Sequence, residues 1–169
     1  MRSASDPLSV FLVDDDKIFL NTLTHEVKER FEPRMNVKTF TSGEEAMSKM
    51  DEHPDVVVLD FYLENKDQPG AMNGLDVLKK IKSVSEDTKV IMLSAQDRVE
   101  VASAAIKAGA YDYVTKSEST LLRLQNIFRN TFSNASILRE SRKYEKRNFF
   151  MAAGLLLLII FDIVYYLSH

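Results

Sequence analysis

Three consecutive carboxylates, Asp14, Asp15 and Asp16, end an apolar run in the stretch "SVFLVDDDKIFL". Acids this close repel one another unless positive charge sits among them. Asp60 ends a second apolar run, "DVVVLD", Ser94 ends a third, "KVIMLS", and Lys116 follows "YDYVT". If these runs are strands of one sheet pointing the same way, three acids, a hydroxyl and an ammonium converge at one edge. Hard carboxylate oxygens with few other ligands suit Mg²⁺, which keeps several waters and readily shares a phosphate. Such a cation would relieve the repulsion among the acids, and an ammonium beside it would balance the charge of a phosphate.

The elements that must position these groups are legible as an alternation. Apolar runs fall at 9–14, 36–40, 55–60, 89–94 and 111–115, and three of them are nearly continuous in Val, Ile and Leu. Continuous runs suit strands covered on both faces. Between them, Leu20, Leu23, Val27 and Phe31 recur at helical spacing. So do Leu75, Leu78 and Ile81, and Val101, Ala104, Ala105 and Ala108. Ser42 with Glu45 predicts a capping box opening another helix, and Gly109 is placed to close the fourth. Five strands alternating with helices predict an α/β fold, a parallel sheet with helices on both sides. In such a sheet a site lies beyond the carboxyl ends of the strands, where Asp14, Asp15, Asp60, Ser94 and Lys116 stand.

Composition narrows the function classes. A formal net charge of -3 argues against nucleic-acid binding through bulk charge. With no cysteine, disulfides and thiolate metal sites are excluded. The opening "MRSASDPLSV" lacks the long apolar core of a secretory signal, so the N-terminal domain is expected in the cytosol. His25 and His53 have no partner ligands in sequence and read as surface residues. The seven methionines are scattered and read as core filler.

From about Leu8 to Phe132 the chain resembles the receiver domain of two-component response regulators. The resemblance rests on "LVDDD", "VVVLD", "VIMLSA" and "DYVTK", in the family's order and at its intervals. It implies a flavodoxin-like (βα)5 receiver with strand order 2-1-3-4-5. It also implies that Asp60 accepts a phosphoryl group, as a carboxylate nucleophile, from a histidine kinase or phosphotransfer protein. Asp15 and Asp60, with the backbone carbonyl of Tyr62, would ligate Mg²⁺, and Asp14 would complete the acidic pair. Asp16 would begin the first loop and stay solvated. Lys116 would pair with phosphoryl oxygens, and Ser94 would donate its hydroxyl to one of them. Ser94 and Tyr113 would form the switch, the Tyr113 ring swinging inward as the serine moves. The only chemistry implied is the domain's own phosphorylation and dephosphorylation, not enzymatic action on other substrates.

The sequence departs from the family pattern at three places. Glu64 stands where a proline is usual, and the glycine expected soon after the acceptor is delayed to Gly74 by "ENKDQPGAM", in which Pro69 and Gly70 read as a turn. Ser117 follows Lys116 where a proline is typical. Tyr62 and Gln96 occupy two positions that in the family tune loss of the phosphoryl group to water.

The C-terminal part carries a second signal. Residues 149–167, "FFMAAGLLLLIIFDIVYYL", are apolar except for Asp162. At helical rise this length spans the ~30 Å hydrocarbon core of a bilayer. Arg139, Arg142, Lys143, Lys146 and Arg147 precede it, and a basic flank is expected on the cytosolic side. Asp162 would cost on the order of 2.5–3.5 kcal/mol at the bilayer centre, less toward the end where it sits. Tyr165 and Tyr166 are placed for the far interface. The expected organisation is a receiver over 8–132, a basic linker over 133–148 and a transmembrane helix over 149–167, tail-anchored with the receiver in the cytoplasm. Leu121, Leu124 and Phe128 predict a fifth receiver helix, and a homodimer through its continuation toward Leu138 is possible. With no further output domain expected, the partners would be a kinase or phosphotransfer protein, a downstream protein target and the membrane, but not nucleic acid. The alternative is a phosphorylation-independent adaptor or scaffold with a receiver fold, tethered to the membrane.

Overall fold

The structure is a computed structural model, described here for residues 7–31, 33–63 and 72–131. Its elements run β1 (Leu8–Val13), α1 (Lys17–Phe31), β2 (Met35–Phe40), α2 (Gly43–Met47), a 3₁₀ turn (Met50–Glu52), β3 (Val56–Asp60), α3 (Gly74–Val84), β4 (Lys89–Ser94), α4 (Val99–Lys107) and β5 (Asp112–Thr115). Helical backbone resumes as α5 over 120–131. The chain divides into two units, Asp6–Ile127 and a second made of Met1–Ser5 with Phe128–His169. The description below concerns the first.

All five strands are parallel and ordered β2-β1-β3-β4-β5, the arrangement the resemblance implies. Burial explains the runs. Every residue of β1 and β3 is buried. Phe11, Val13, Val57, Leu59, Val90 and Met92 form one cluster with Ala46 of α2, Val77, Leu78 and Ile81 of α3, and Ala105 of α4. The alternate residues Val10, Leu12, Val58 and Ile91 are equally buried. Leu20, Leu23 and Val27 of α1 and Leu124 of α5 are buried outside that cluster. Side chains alternate across a strand, so a strand buried throughout needs cover on both faces.

Helix ends follow local chemistry. Asp16 caps α1, its Oδ1 accepting from Ile18 N–H at 2.9 Å and Phe19 N–H at 3.1 Å. The exposed Asp16 therefore has a job, and Asp14 and Asp15 are left for the site. Ser42 caps α2 by accepting from Glu45 N–H at 3.2 Å. The Glu45 carboxylate reaches back to Thr41 N–H at 3.1 Å rather than to Ser42, so the predicted box closes one residue early. Gly109, at φ +98°, follows the end of α4 as expected. Val77, not read as a core position from spacing, is fully buried. A Cβ at Gly43 would collide with its Cγ2, so that glycine lets α2 sit directly on α3.

Among the described residues, no helix is long and apolar enough to cross a membrane. The linker 133–148, the segment 149–167 with Asp162, and the residues Glu64, Pro69 and Gly70 lie outside the described residues.

Candidate functional site

The chain leaves β1 to build β2 on one side and returns to build β3 on the other. Beyond the carboxyl ends of strands at such a reversal a crevice opens. Val13 pairs with Leu59, which sets Asp14 beside Asp60 one residue on. Asp60 pairs with Leu93, and Ser94 pairs with Thr115, which brings Lys116 to the same edge. The predicted convergence is therefore present.

Its geometry is tight. Lys116 Nζ lies 2.6 Å from Asp14 Oδ2 and 2.9 Å from Asp60 Oδ1. The two carboxylate side chains are 3% and 6% exposed, and that of the lysine 18%. The ammonium also stands 4.6 Å from the centre of the Phe19 ring, a cation–π contact that sequence spacing did not single out. Asp14, Asp15 and Asp60 each offer an oxygen, all within 4.8 Å of one another. Three carboxylates against one ammonium give the strand tips a formal negative excess, with Asp14 and Asp60 buried and Asp15 open to solvent.

Electrostatics reflect that excess. Burial pushes the Asp60 carboxyl up to about 6, against the pull of Lys116, with Asp14 and Asp15 adding to the rise. Burial raises Asp14 as well, again opposed by Lys116. For Lys116, burial favours loss of the proton, but Asp14 and Asp60 together outweigh it and hold its pKa above the ordinary lysine value. Asp14 Oδ2 has the Lys116 ammonium as its partner, and Asp14 Oδ1 accepts from Asp16 N–H at 3.0 Å. Three carboxylate oxygens within 4.8 Å of one another, with a single ammonium against them, fit a hard divalent cation such as Mg²⁺.

The neighbouring groups are neutral. Ser94 is fully buried, and its Oγ accepts from Gln96 N–H at 3.1 Å. The Gln96 carbonyl accepts from Tyr113 Oη at 2.6 Å, and its Oε1 accepts from Tyr62 Oη at 3.0 Å. Tyr113 is 8% exposed, so its ring is already turned inward. Tyr62, expected through its backbone carbonyl, shows an added feature: its side chain bridges from the end of β3 to the loop after β4.

Backbone contacts fix the acceptor strand's exit. Phe61 N–H donates to Leu93 O at 2.7 Å, and Gly74 N–H donates to Phe61 O at 3.3 Å. A Cβ on Gly74 would collide with Asp60 O and come within 2.8 Å of Phe61 Cα. The delayed glycine thus occupies the place where only glycine fits. Asn73 caps α3, and Met72 N–H donates to Glu44 Oε1 at 2.9 Å, tying the entry of α3 to α2.

Residues 10–127 match the response regulator receiver domain. The chain belongs to that family. The receiver is 36% identical over 134 residues to the probable transcriptional regulatory protein TcrX of Mycobacterium tuberculosis, covering 77% of this chain and 53% of that protein. It is 34% identical over 112 residues to the photosynthetic apparatus regulatory protein RegA of Rhodovulum sulfidophilum, covering 66% and 56%. The chain thus spans about half the length of the curated relatives it matches. Among solved structures, the receiver superposes on the BeF3-activated DrrB receiver domain with a TM-score of 0.63 at 30% identity, over 76% of this chain and 98% of that one. The receiver of a putative LuxO repressor from Vibrio parahaemolyticus gives 0.67 at 24% identity over 80% and 97%, a likeness of fold. An expectation of no nucleic-acid partner finds no support among these relatives, since TcrX carries the name of a transcriptional regulatory protein.

Proposed function

We propose that this receiver accepts a phosphoryl group on Asp60, with Mg²⁺, from a histidine kinase or phosphotransfer protein. The observation that carries this reading is the buried Asp14–Lys116–Asp60 arrangement with Asp15 beside it and a formal negative excess. A structural ion pair would not need a third acid, and burying unpaired charge is costly.

In the reaction, an Asp60 oxygen attacks phosphorus in line with the leaving nitrogen of a phosphoimidazole. The new O–P bond forms as the N–P bond breaks, and its electron pair leaves with the imidazole. Little covalent work falls to the protein, so positioning and charge neutralisation dominate. Bound Mg²⁺ would be held by Asp15, Asp60 and the Tyr62 carbonyl with Asp14 close by, and would neutralise charge on the phosphoryl oxygens. Lys116, already 2.9 Å from Asp60, would shift its contact to a phosphoryl oxygen. Ser94 would turn its hydroxyl toward another. Because Gln96 N–H bonds Ser94 Oγ and Gln96 O holds Tyr113, movement of the serine would reach the tyrosine through one residue. Such a two-state element, biased by a local charge change, is what a switch requires.

The output we propose is protein–protein interaction at a membrane, with residues 8–132 as receiver, 133–148 as basic linker and 149–167 as a membrane-spanning helix that leaves the receiver in the cytoplasm. The apolar length of 149–167 and the basic residues before it support this reading. Fractionation of the full chain tests it: recovery in the membrane fraction is expected, and a soluble monomer would remove the anchor. Beryllofluoride binding in Mg²⁺ tests the acceptor. Binding by the wild type and none by Asp60→Asn supports phosphoryl acceptance, whereas a wild type that does not bind leaves a receiver-fold adaptor.

A further inference from the structure

Lys116 belongs to no regular element, standing between β5 and the helical backbone that begins at residue 120. Its long, flexible stem can place an ammonium in many positions, so its backbone origin has to be fixed. One side chain holds that backbone from both sides. The Thr120 hydroxyl donates to Thr115 O at 3.0 Å and accepts from Ser117 N–H at 2.7 Å. Thr120 is 4% exposed, and its own N–H donates to Ser117 O at 3.0 Å. A hydroxyl has one proton to give and lone pairs to receive, so a single group serves the residue before the lysine and the residue after it. The Lys116 amide is separately anchored on Ser94 O at 2.7 Å.

We propose that Thr120 is a positioning residue for Lys116, a staple whose hydroxyl sets where the ammonium meets the phosphoryl group on Asp60. This rests on the reading of Asp60 as the acceptor. The staple depends on Ser117, because a proline in its place would have no N–H to donate. Where the family pattern fixes this turn with a proline ring, this chain uses a hydrogen-bonded bracket. Positioning of a charged group near reacting atoms is sensitive to small displacements, so loss of the bracket should be felt more at the phosphoryl group, which Lys116 would meet directly, than at the metal, which it meets only through Asp14 and Asp60.

Thr120→Val keeps the shape and burial of the side chain and removes the hydroxyl, whereas Thr120→Ser keeps the hydroxyl. Three quantities are measured on the full chain: Mg²⁺ affinity, beryllofluoride affinity in saturating Mg²⁺, and hydrogen exchange of the Ser117 amide. Thr120→Val should weaken beryllofluoride about threefold to tenfold, the usual range for one lost hydrogen bond, and should speed Ser117 exchange. Thr120→Ser should stay near wild type in both, and Mg²⁺ affinity should change less than beryllofluoride affinity in Thr120→Val. Wild-type beryllofluoride affinity in Thr120→Val would overturn the proposal. So would equal weakening in Thr120→Ser, which keeps the hydroxyl. A fall in Mg²⁺ affinity in step with beryllofluoride would also overturn it, as a general loss of structure. A wild-type chain that takes no beryllofluoride overturns the acceptor reading itself, a result separate from wild-type binding with an indifferent Thr120→Val.

Discussion

Two sets of polar side chains meet at the strand tips, and they are built in opposite ways. Asp14, Asp60 and Lys116 are charged and largely buried, and their charges do not cancel. Ser94, Gln96, Tyr113 and Tyr62 are neutral and joined bond by bond through Gln96. The first set has a free energy that depends on what occupies the pocket and on pH. The second has one that depends on geometry. A site that senses phosphate needs the first, and a site that reports it needs the second.

Removing the shared cation should expose the difference most. Lys116→Met leaves two buried carboxylates without their counter-ion, and breaking such a pair costs about 3 kcal/mol. Urea denaturation at neutral pH without metal should show that loss; an unchanged midpoint would mean that the pair does not hold the site together.

Asp60→Asn should act in the other direction. The Asp60 carboxyl sits near 6 in the fold against 3.8 for an ordinary aspartate. The folded state therefore keeps its proton to higher pH than the unfolded state. Its stability contribution is full below about pH 4 and declines as pH rises through about 6, by up to about 3 kcal/mol. The metal-free Asn variant should be more stable than wild type at pH 7 and should lack that slope. Mg²⁺ should stabilise the wild type and leave the variant nearly indifferent. A wild-type minus Asp60→Asn stability difference that rises between pH 4 and 6 would contradict the assignment of the deficit to Asp60.

Within the neutral set the effects should be smaller and graded by burial. Tyr113→Phe orphans the Gln96 carbonyl and should cost about 1 kcal/mol. Tyr62 is 36% exposed, so Tyr62→Phe should cost less than about 0.5 kcal/mol, water replacing the lost partner. Thermal unfolding of the two variants side by side checks the order, and a larger loss from Tyr62→Phe would reverse it.

The sheet and the acids were legible because both follow from strong, local patterns. A strand buried on both faces must be apolar throughout, so β1, β3 and β4 announce themselves, and the last residue of each is then a site candidate. Asp60 and Ser94 end β3 and β4, Asp14 and Asp15 directly follow β1, and Lys116 directly follows the less buried β5. What was not legible depends on where a donor finds its acceptor. Asp16 rather than Asp14 or Asp15 caps α1, a distinction of one or two residues that only the chain's exit angle decides. Glu45 reaches Thr41 N–H rather than Ser42 N–H, a choice between neighbouring donors that residue spacing does not decide. Thr120 carries no signal except a hydroxyl three residues after Ser117, and Phe19 none except its place in the first turn of α1. The roles of Lys116 and Tyr113 came from resemblance to a family, whereas their distances came from tertiary structure alone.

The central claim is that Asp60 carries phosphate. Incubation of the full chain with acetyl phosphate and Mg²⁺, followed by mass spectrometry and peptide mapping, tests it most directly. A single phosphoryl adduct on the peptide containing Asp60, absent from Asp60→Asn and absent when the metal is chelated, is the predicted result. An unlabelled wild type, or an adduct that persists in Asp60→Asn, would contradict the account.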